Sequence, residues 1–309
     1  MIVVLAGGVG AARFLDGLAR VVPVESLFII GNTGDDTEIY GLHISPDIDT
    51  VVYTLAGLAN PIEGWGIRGD SFRCLESLGR LGEKTWFRLG DCDLAMHIHR
   101  TARLRSGSTL SEVTAEIARN LGVRAVVRPM SDQTVRTIVH TPAGLLEFQT
   151  YFVRRRARDR VSRITFRGAE QARPAPGLLK AIRDASAIIF SPSNPIISIG
   201  PILAIPGIRR ALERRRCRSV AISPIVAGRA LKGPAAQMMK GMGLKASALG
   251  VAELYRGLVD VFVLDRQDRD LAPSIEKLGM RAVVVNTIMS SAARKKALSQ
   301  SVVKVAELK

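Results

Sequence analysis

The chain opens on an unbroken apolar run, Ile2-Val3-Val4-Leu5. Runs without polar alternation mark strands buried on both faces, as in parallel sheets. Gly7-Gly8-Val9-Gly10 follows, and helical periodicity through Phe14, Leu15 and Leu18 predicts a helix over 11–21. Leu27 to Ile30 is a second buried strand, ending on Asn32-Thr33-Gly34-Asp35-Asp36. Strand, helix and strand in this order predict a parallel pair with a right-handed crossover. The rhythm returns at Ala187 to Phe190, Ser219 to Ile222, Val261 to Leu264 and Ala282 to Val285. Helices are predicted over 178–184, 208–215, 234–242, 248–258 and 290–298.

Between these blocks, Ser45-Pro46-Asp47-Ile48-Asp49-Thr50 leads into the periodic run Val51 to Leu58. Pro46 suits a first helical position, and Ser45 or Asp47 suits the cap. Further helices are expected over 70–81 and 94–104. Thr109-Leu110-Ser111-Glu112 reads as a capping box before a helix to Leu121. From 123 to 173 the pattern changes, with strands at 135–140 and 147–153 around a turn at Thr141-Pro142-Ala143-Gly144. The chain therefore reads as one domain over 1–309. Its fold class is α/β, a Rossmann-like three-layer αβα sandwich on a parallel sheet with a smaller β-containing insertion at 123–173.

The chain has 309 residues, 47% of them hydrophobic, which is ample for a large core. Its cysteines, Cys74, Cys92 and Cys217, are isolated. That excludes a disulfide scaffold and a Cys-x-x-Cys zinc site, and fits a reducing, cytoplasmic setting. Lys plus Arg is 44 and Asp plus Glu 28, a net charge of +16 that attracts anions. Much of the excess lies in Arg154-Arg155-Arg156 with Arg158 and Arg160, and in Arg209-Arg210 with Arg214-Arg215-Arg216 and Arg218. These clusters hold few aromatic residues for base stacking, and no nucleic-acid-binding motif accompanies them, so they read as solvated faces. The apolar stretch 187–208 is broken by Pro192, Pro195, Pro201 and Pro206, and no basic leader precedes the first strand. A soluble protein with neither membrane nor nucleic-acid partners is expected.

Candidate chemistry gathers in the loops after strands. Glycines between a strand and a helix let a phosphate approach the positive helix end, although Gly7, Gly8 and Gly10 meet neither the G-x-G-x-x-G nor the P-loop spacing. A tight turn alone is the bland alternative, and a nucleotide or phosphate contact is favoured because the motif opens the first βα unit. Asp35, Asp36, Asp47 and Asp49 follow the second strand, and loops at that edge of a parallel sheet share a ligand crevice. Such oxygen ligands suit Mg²⁺ beside substrate phosphates, while Asp47 also suits helix capping. Arg88, beside Gly90-Asp91-Cys92-Asp93, can hold a phosphate or stack on a flat ring. Ser191-Pro192-Ser193-Asn194-Pro195 and Ser198 offer hydroxyls, an amide and backbone N–H groups for a base or diphosphate. His97 and His99 face different ways on a helix and read as structural or site-edge groups, not a metal pair. No nucleophile elbow or catalytic cysteine pattern is present, which favours phosphoryl-type transfer by positioning and metal.

Five segments in register, Leu5 to Leu15, Asn32 to Asp36, His43 to Val51, Trp86 to Asp91 and Ser191 to Pro195, resemble the 2-phospho-L-lactate transferase (CofD) family over nearly the whole chain. The resemblance implies biosynthesis of the deazaflavin coenzyme F-420. A phospholactyl or phosphoenolpyruvyl group would pass from a diphosphoguanosine donor to the ribityl hydroxyl of Fo, with release of GMP and a need for Mg²⁺. It implies that Asp49 and Arg88 contact Fo, with Asp49 a candidate general base. By the same resemblance, Asp35, Asp36, Asp47 and Asp49 hold the metal. Gly7, Gly8, Gly10, Asn32, Ser191, Ser193, Asn194 and Ser198 hold the donor nucleotide. A homodimer is expected, and the arginine-rich composition tilts the donor towards enolpyruvate. The alternative is a UDP-sugar-binding regulatory protein of a sister group. That group shows a Thr-Asp-Asp-Gly-Gly-Ser-type run where this chain has Asn32-Thr33-Gly34-Asp35-Asp36-Thr37.

Overall fold

Seven parallel strands form the central sheet of a computed structural model that describes residues 1–307. They are β1 (Ile2–Ala6), β2 (Leu27–Gly31), β3 (Val126–Pro129), β4 (Ala187–Phe190), β5 (Arg218–Ile222), β6 (Val261–Asp265) and β7 (Arg281–Val285). Their spatial order is β7-β6-β5-β4-β1-β2-β3. From β1 the chain winds outward through β2 to β3, then returns to the centre at β4 and winds the other way. The strand order reverses between β1 and β4, the switch point at which doubly wound sheets bind ligands.

The apolar runs are explained by burial on both faces. In β1, Val3 and Leu5 enter one core while Val4 and Ala6 enter the other. The second core is covered by α1 (Gly8–Leu18), α2 (Pro46–Leu55), the helix Leu110–Asn120 and the helix Ala292–Glu307, through Phe14, Leu15, Val51, Ile117, Leu298 and Val302. The first core is closed by Leu178, Ile208, Leu212, Met238 and Val251 from the helices of the second half. The capping box at Thr109 is formed, with Glu112 N donating to its hydroxyl and Thr109 N donating to the Glu112 carboxylate. No helix among the described residues is long and apolar enough to cross a membrane.

Three expectations differ from the structure. Helix α1 starts at Gly8, not residue 11, because Gly7 in extended conformation caps it and both following glycines lie in the first turn. The apolar stretch 147–153 is strand only to Glu147. The chain then coils helically through Thr150–Arg154, which buries Phe148 and Tyr151 and stacks Phe148 on Phe152 at 5.3 Å. Residues 126–129 pair with β2 in the main sheet, so the antiparallel insert is built only from Arg136–Thr141, Gly144–Glu147 and Arg163–Arg167. The main chain of Thr137 donates to the Gly34 carbonyl oxygen at 2.7 Å, which ties the insert to the loop after β2.

Gly17 marks the closest approach of α1 to the helix Ala292–Glu307. A Cβ there would overlap the Lys295 carbonyl group and sit 2.8 Å from Ser299 Oγ. Alanine improves helix propensity by about 1 kcal/mol, but overpacking costs about 1–3 kcal/mol. Gly17→Ala should therefore lose net stability, of order 1 kcal/mol, in urea unfolding. A gain would show that the two helices are free to separate.

Candidate active site

The loops after β1 and β4 meet at the switch point and are stitched together by serine hydroxyls. Ser191 Oγ donates to the Leu5 carbonyl at 2.7 Å, and Ser193 Oγ donates to the Gly7 carbonyl at 2.7 Å while accepting from Gly7 N at 3.2 Å. The glycines permit this approach. A Cβ on Gly7 would sit 2.6 Å from Ser198 Cβ and 2.7 Å from Asp47 Oδ2, and one on Gly10 would overlap the Pro192 carbonyl. Gly8 has φ +70°, a conformation open to glycine at little cost. Asn194 caps the helical turn Pro195–Ile199 by accepting from Ile196 N at 2.9 Å. Above these loops lies a cavity of about 760 Å³.

The loop after β2 brings the carboxylates to this cavity. Asn32 is fully buried and donates from Nδ2 to Asp47 Oδ2 at 2.9 Å and to the Ile197 carbonyl at 3.2 Å. Its Oδ1 accepts from Gly34 N at 2.9 Å. Pro46 opens α2, so Asp47 and Asp49 fall in the first turn. Burial, and after it the Asp36 charge, pushes the Asp47 carboxyl up to about 6 against hydrogen bonds from Asn32 and the Gly8 main chain. Burial and the neighbouring Asp47 charge raise Asp35 well above the usual carboxylate range. Oδ1 of Asp35, Oδ1 of Asp36 and Oγ1 of Thr33 are buried without a hydrogen-bond partner.

Asp49, two residues further along the first turn of α2, belongs to a different network. Both its oxygens accept from the fully buried Arg100 guanidinium. Arg100 Nη1 also lies 3.2 Å from His97 Nδ1, and His97 Nε2 lies 3.3 Å from Asp93 Oδ1. Because Arg100 only donates, His97 Nδ1 accepts, which puts the ring hydrogen on Nε2 facing Asp93. Tyr53 donates to Asp93 at 2.6 Å. Burial would raise the Asp93 carboxyl, but the hydrogen bonds from His97 and Tyr53 hold it below its usual range. Burial and the charges of Asp49 and Asp93 drive the Tyr53 phenol up. Arg88 lies over Phe72 at 4.4 Å and Trp65 at 5.8 Å, near the edge-to-face pair Trp86–Phe87. Asp70 and Asp91 cap the neighbouring helices reciprocally. Asp70 accepts from Cys92 N and Asp93 N, and Asp91 accepts from Arg73 N and Cys74 N.

Gly7, Gly8 and Gly10, Asp35, Asp47 and Asp49, Arg88, and Ser193, Asn194 and Ser198 all line the one cavity. Asn32, Asp36 and Ser191 do not. Asn32 spends both ends of its amide on the protein and positions Asp47, while Ser191 is consumed in joining the loops. Asp36 accepts from Ser45 Oγ at 2.8 Å and lies 3.0 Å from His43 Nε2. Of the four expected aspartates, Asp35, Asp47 and Asp49 line the cavity, and Asp49 is engaged by Arg100. No group of three or more His, Cys, Asp or Glu side chains among the described residues converges to hold a metal unaided. His99 faces Glu116 at 3.3 Å, away from His97, which does reach the cavity. Arg13, Tyr53, Trp65, Phe148, Gln149 and Lys232 also line the cavity without having been singled out in the sequence. Only Arg13, one turn beyond Gly10 on the same helix face, carried a local signal.

Fold and crevice define a doubly wound α/β protein with a cavity at the switch point. The chain belongs to the 2-phospho-L-lactate transferase CofD family, whose model matches residues 2–304. It is 38% identical over 301 residues to a 2-phospho-L-lactate transferase of Methanosarcina acetivorans, with 97% of each chain covered. It is 41% identical over 312 residues to a phosphoenolpyruvate transferase of Streptomyces griseus, with 99% of this chain and 98% of the relative covered. A crystal structure of a upf0052 family protein from Bacillus halodurans superimposes with a TM-score of 0.61 at 18% identity, over 98% of both chains, and shares the fold.

The raised Asp47 carboxyl has a consequence for stability. Below about pH 4 the folded and unfolded chains both hold this proton. As the pH rises through 6 the folded chain must release a proton it holds more tightly, so stability falls, by up to about 3 kcal/mol. Asp47→Asn, which keeps an acceptor for Asn32, should be more stable than wild type at pH 8 without divalent cations and no more stable at pH 4. Equal urea midpoints at pH 8 would contradict the buried charge.

Proposed function

We propose that this chain is a transferase of coenzyme F-420 biosynthesis. In this reading it moves a phospholactyl or phosphoenolpyruvyl group from a diphosphoguanosine donor to the ribityl hydroxyl of Fo, releasing GMP. The observation that carries the reading is one cavity joining three features: a glycine turn at a helix N-terminus, the buried pair Asp35–Asp47, and an aromatic shelf beside Arg88. The names of the Methanosarcina and Streptomyces relatives support it.

The donor set fits Mg²⁺, which takes one or two carboxylates and fills its shell with water and substrate phosphates. Asp35, with an unpartnered buried oxygen, and Asp47 would hold it. When bound, it supplies neutralisation of the diphosphate charge. The glycine turn lets the main chain of α1 approach the phosphates, and the positive helix end favours them there. Trp65, Trp86 and Phe87 flank a flat ring, and Arg88 stacks on or donates to it. Asp49, fixed by Arg100, orients the ribityl hydroxyl. That hydroxyl oxygen attacks the phosphorus bearing the three-carbon unit. The bridging bond to the GMP phosphate breaks, GMP leaves with the bonding pair, and the Asp49 carboxylate takes up the hydroxyl proton.

The test is incubation of the protein with Fo, Mg²⁺ and each donor in turn. Mass spectrometry should show Fo extended by the phospho-three-carbon unit, with one GMP per product. No product from the lactyl, enolpyruvyl or glyceryl donor would contradict the proposal. Asp35→Asn should lower turnover by more than about 10²-fold and abolish Mg²⁺-dependent thermal stabilisation, since loss of even an outer partner of a metal typically costs about 10–100-fold. Retained turnover would remove Asp35 from the site.

A further inference from the structure

Arg13 and Lys232 enter the cavity, and the reaction outlined above leaves both unused. Arg13 lies on α1, and helical side chains lean towards the N-terminus, so its guanidinium leans over the turn formed by Val9 and Gly10. Lys232 follows the short hairpin Ile225–Val226 and Arg229–Ala230. Its Nζ donates to the Glu63 carbonyl at 3.1 Å. A Cβ built on Gly64 would lie 3.3 Å from that Nζ and 2.7 Å from Val9 Cγ1, so Lys232 stands against the first turn of α1. Neither cation forms an ion pair within 4.0 Å among the described residues, although eleven other Lys or Arg ion pairs occur there. Burial, and then the Arg13 charge, hold the Lys232 ammonium below its usual range, and the Glu63 carboxylate offsets only part of this. Two cations thus face one void at the mouth of a helix N-terminus, with no carboxylate within 4.0 Å of either and, once Lys232 has donated to the Glu63 carbonyl, about seven N–H donors left over.

We infer that Arg13 and Lys232 form a clamp for an oxyanion of the donor, a phosphate of its diphosphate or the carboxylate of its three-carbon unit. The inference rests on the transferase reading for its ligand. The clamp would act alongside Asp35 and Asp47, so that the donor meets positive charge from the chain at one point and carboxylates at another. Glycines in the first turn of α1 leave room for the anion between the two side chains.

The test uses Arg13→Gln, Lys232→Gln and the double variant. Arg214→Gln with Arg216→Gln is the control, because it removes the same charge from exposed positions outside the cavity. GDP and inorganic pyrophosphate binding are measured by calorimetry near physiological salt, and donor KM and kcat are measured with Fo. Loss of charged hydrogen bonds should weaken binding by about 10- to 100-fold in the double variant, with kcat at saturating donor little changed. The control should scarcely move, since distant exposed charges are screened over about 8 Å. Weakening of GDP and donor alike assigns the clamp to phosphate, and weakening of donor alone assigns it to the carboxylate. Unchanged GDP binding together with an unchanged donor KM, or an equal loss in the control, overturns the clamp. A wild type that binds GDP through these residues yet transfers nothing would refute the transferase reading and leave the clamp standing.

Discussion

Two buried carboxylates side by side set the terms for this structure. Asp35 and Asp47 are each within a few per cent of complete burial, and the proton affinity of each is raised by it. Burying a charge without a counter-charge is costly, and the fold spends specific contacts to sustain it. Asn32 bridges Asp47 to the loop after β4, the Gly8 main chain donates to the same carboxylate, and the insert reaches in to hold the loop after β2. Gln149 adds a further bond at 3.1 Å to the Asp35 carbonyl. The elements meeting at the switch point are thus arranged around an acidic pair whose natural complement is a cation.

The cavity is polarised along α2. Near its start, Asp47 has no basic side chain against it. Two residues further on, Asp49 is neutralised by Arg100, and His97, Asp93 and Tyr53 lie in the same buried network. A neutralised carboxylate serves as a fixed acceptor, and an unneutralised pair attracts a cation. One helix start therefore supplies two kinds of oxygen ligand within a single turn. The aromatic residues and Arg88 line the same cavity as these two carboxylates.

Much of this was legible in the sequence because it follows from local pattern. Uninterrupted apolar runs marked β1, β2, β4, β5, β6 and β7, and the acidic residues and glycines lay immediately after them. What escaped depended on contacts distant in sequence. The pairing of Val126–Pro129 with β2 is set by the sheet edge, not by its own pattern. The helical coil at Thr150–Arg154 is a case in which burial of Phe148 and Tyr151 overrides the strand propensity of aromatic and β-branched residues. Asn32 and Ser191 read as ligand groups because their chemistry suits ligands. Only the fold reveals that their hydrogen bonds are already committed to Asp47 and Leu5. Arg100 gave no signal, since a lone arginine on an amphipathic helix reads as surface, yet it is among the largest fully buried side chains.

The central claim is that Asp35 and Asp47 exist to hold a divalent cation against a nucleotide diphosphate. Crystals grown with GDP and Mn²⁺ as a Mg²⁺ surrogate, measured by anomalous diffraction, address it directly. The account predicts a manganese peak about 2.0–2.2 Å from a carboxylate oxygen of each residue, with the remaining ligands drawn from phosphate and water. A peak centred instead on Asp49, or a GDP diphosphate bound with no metal between these two aspartates, would contradict it.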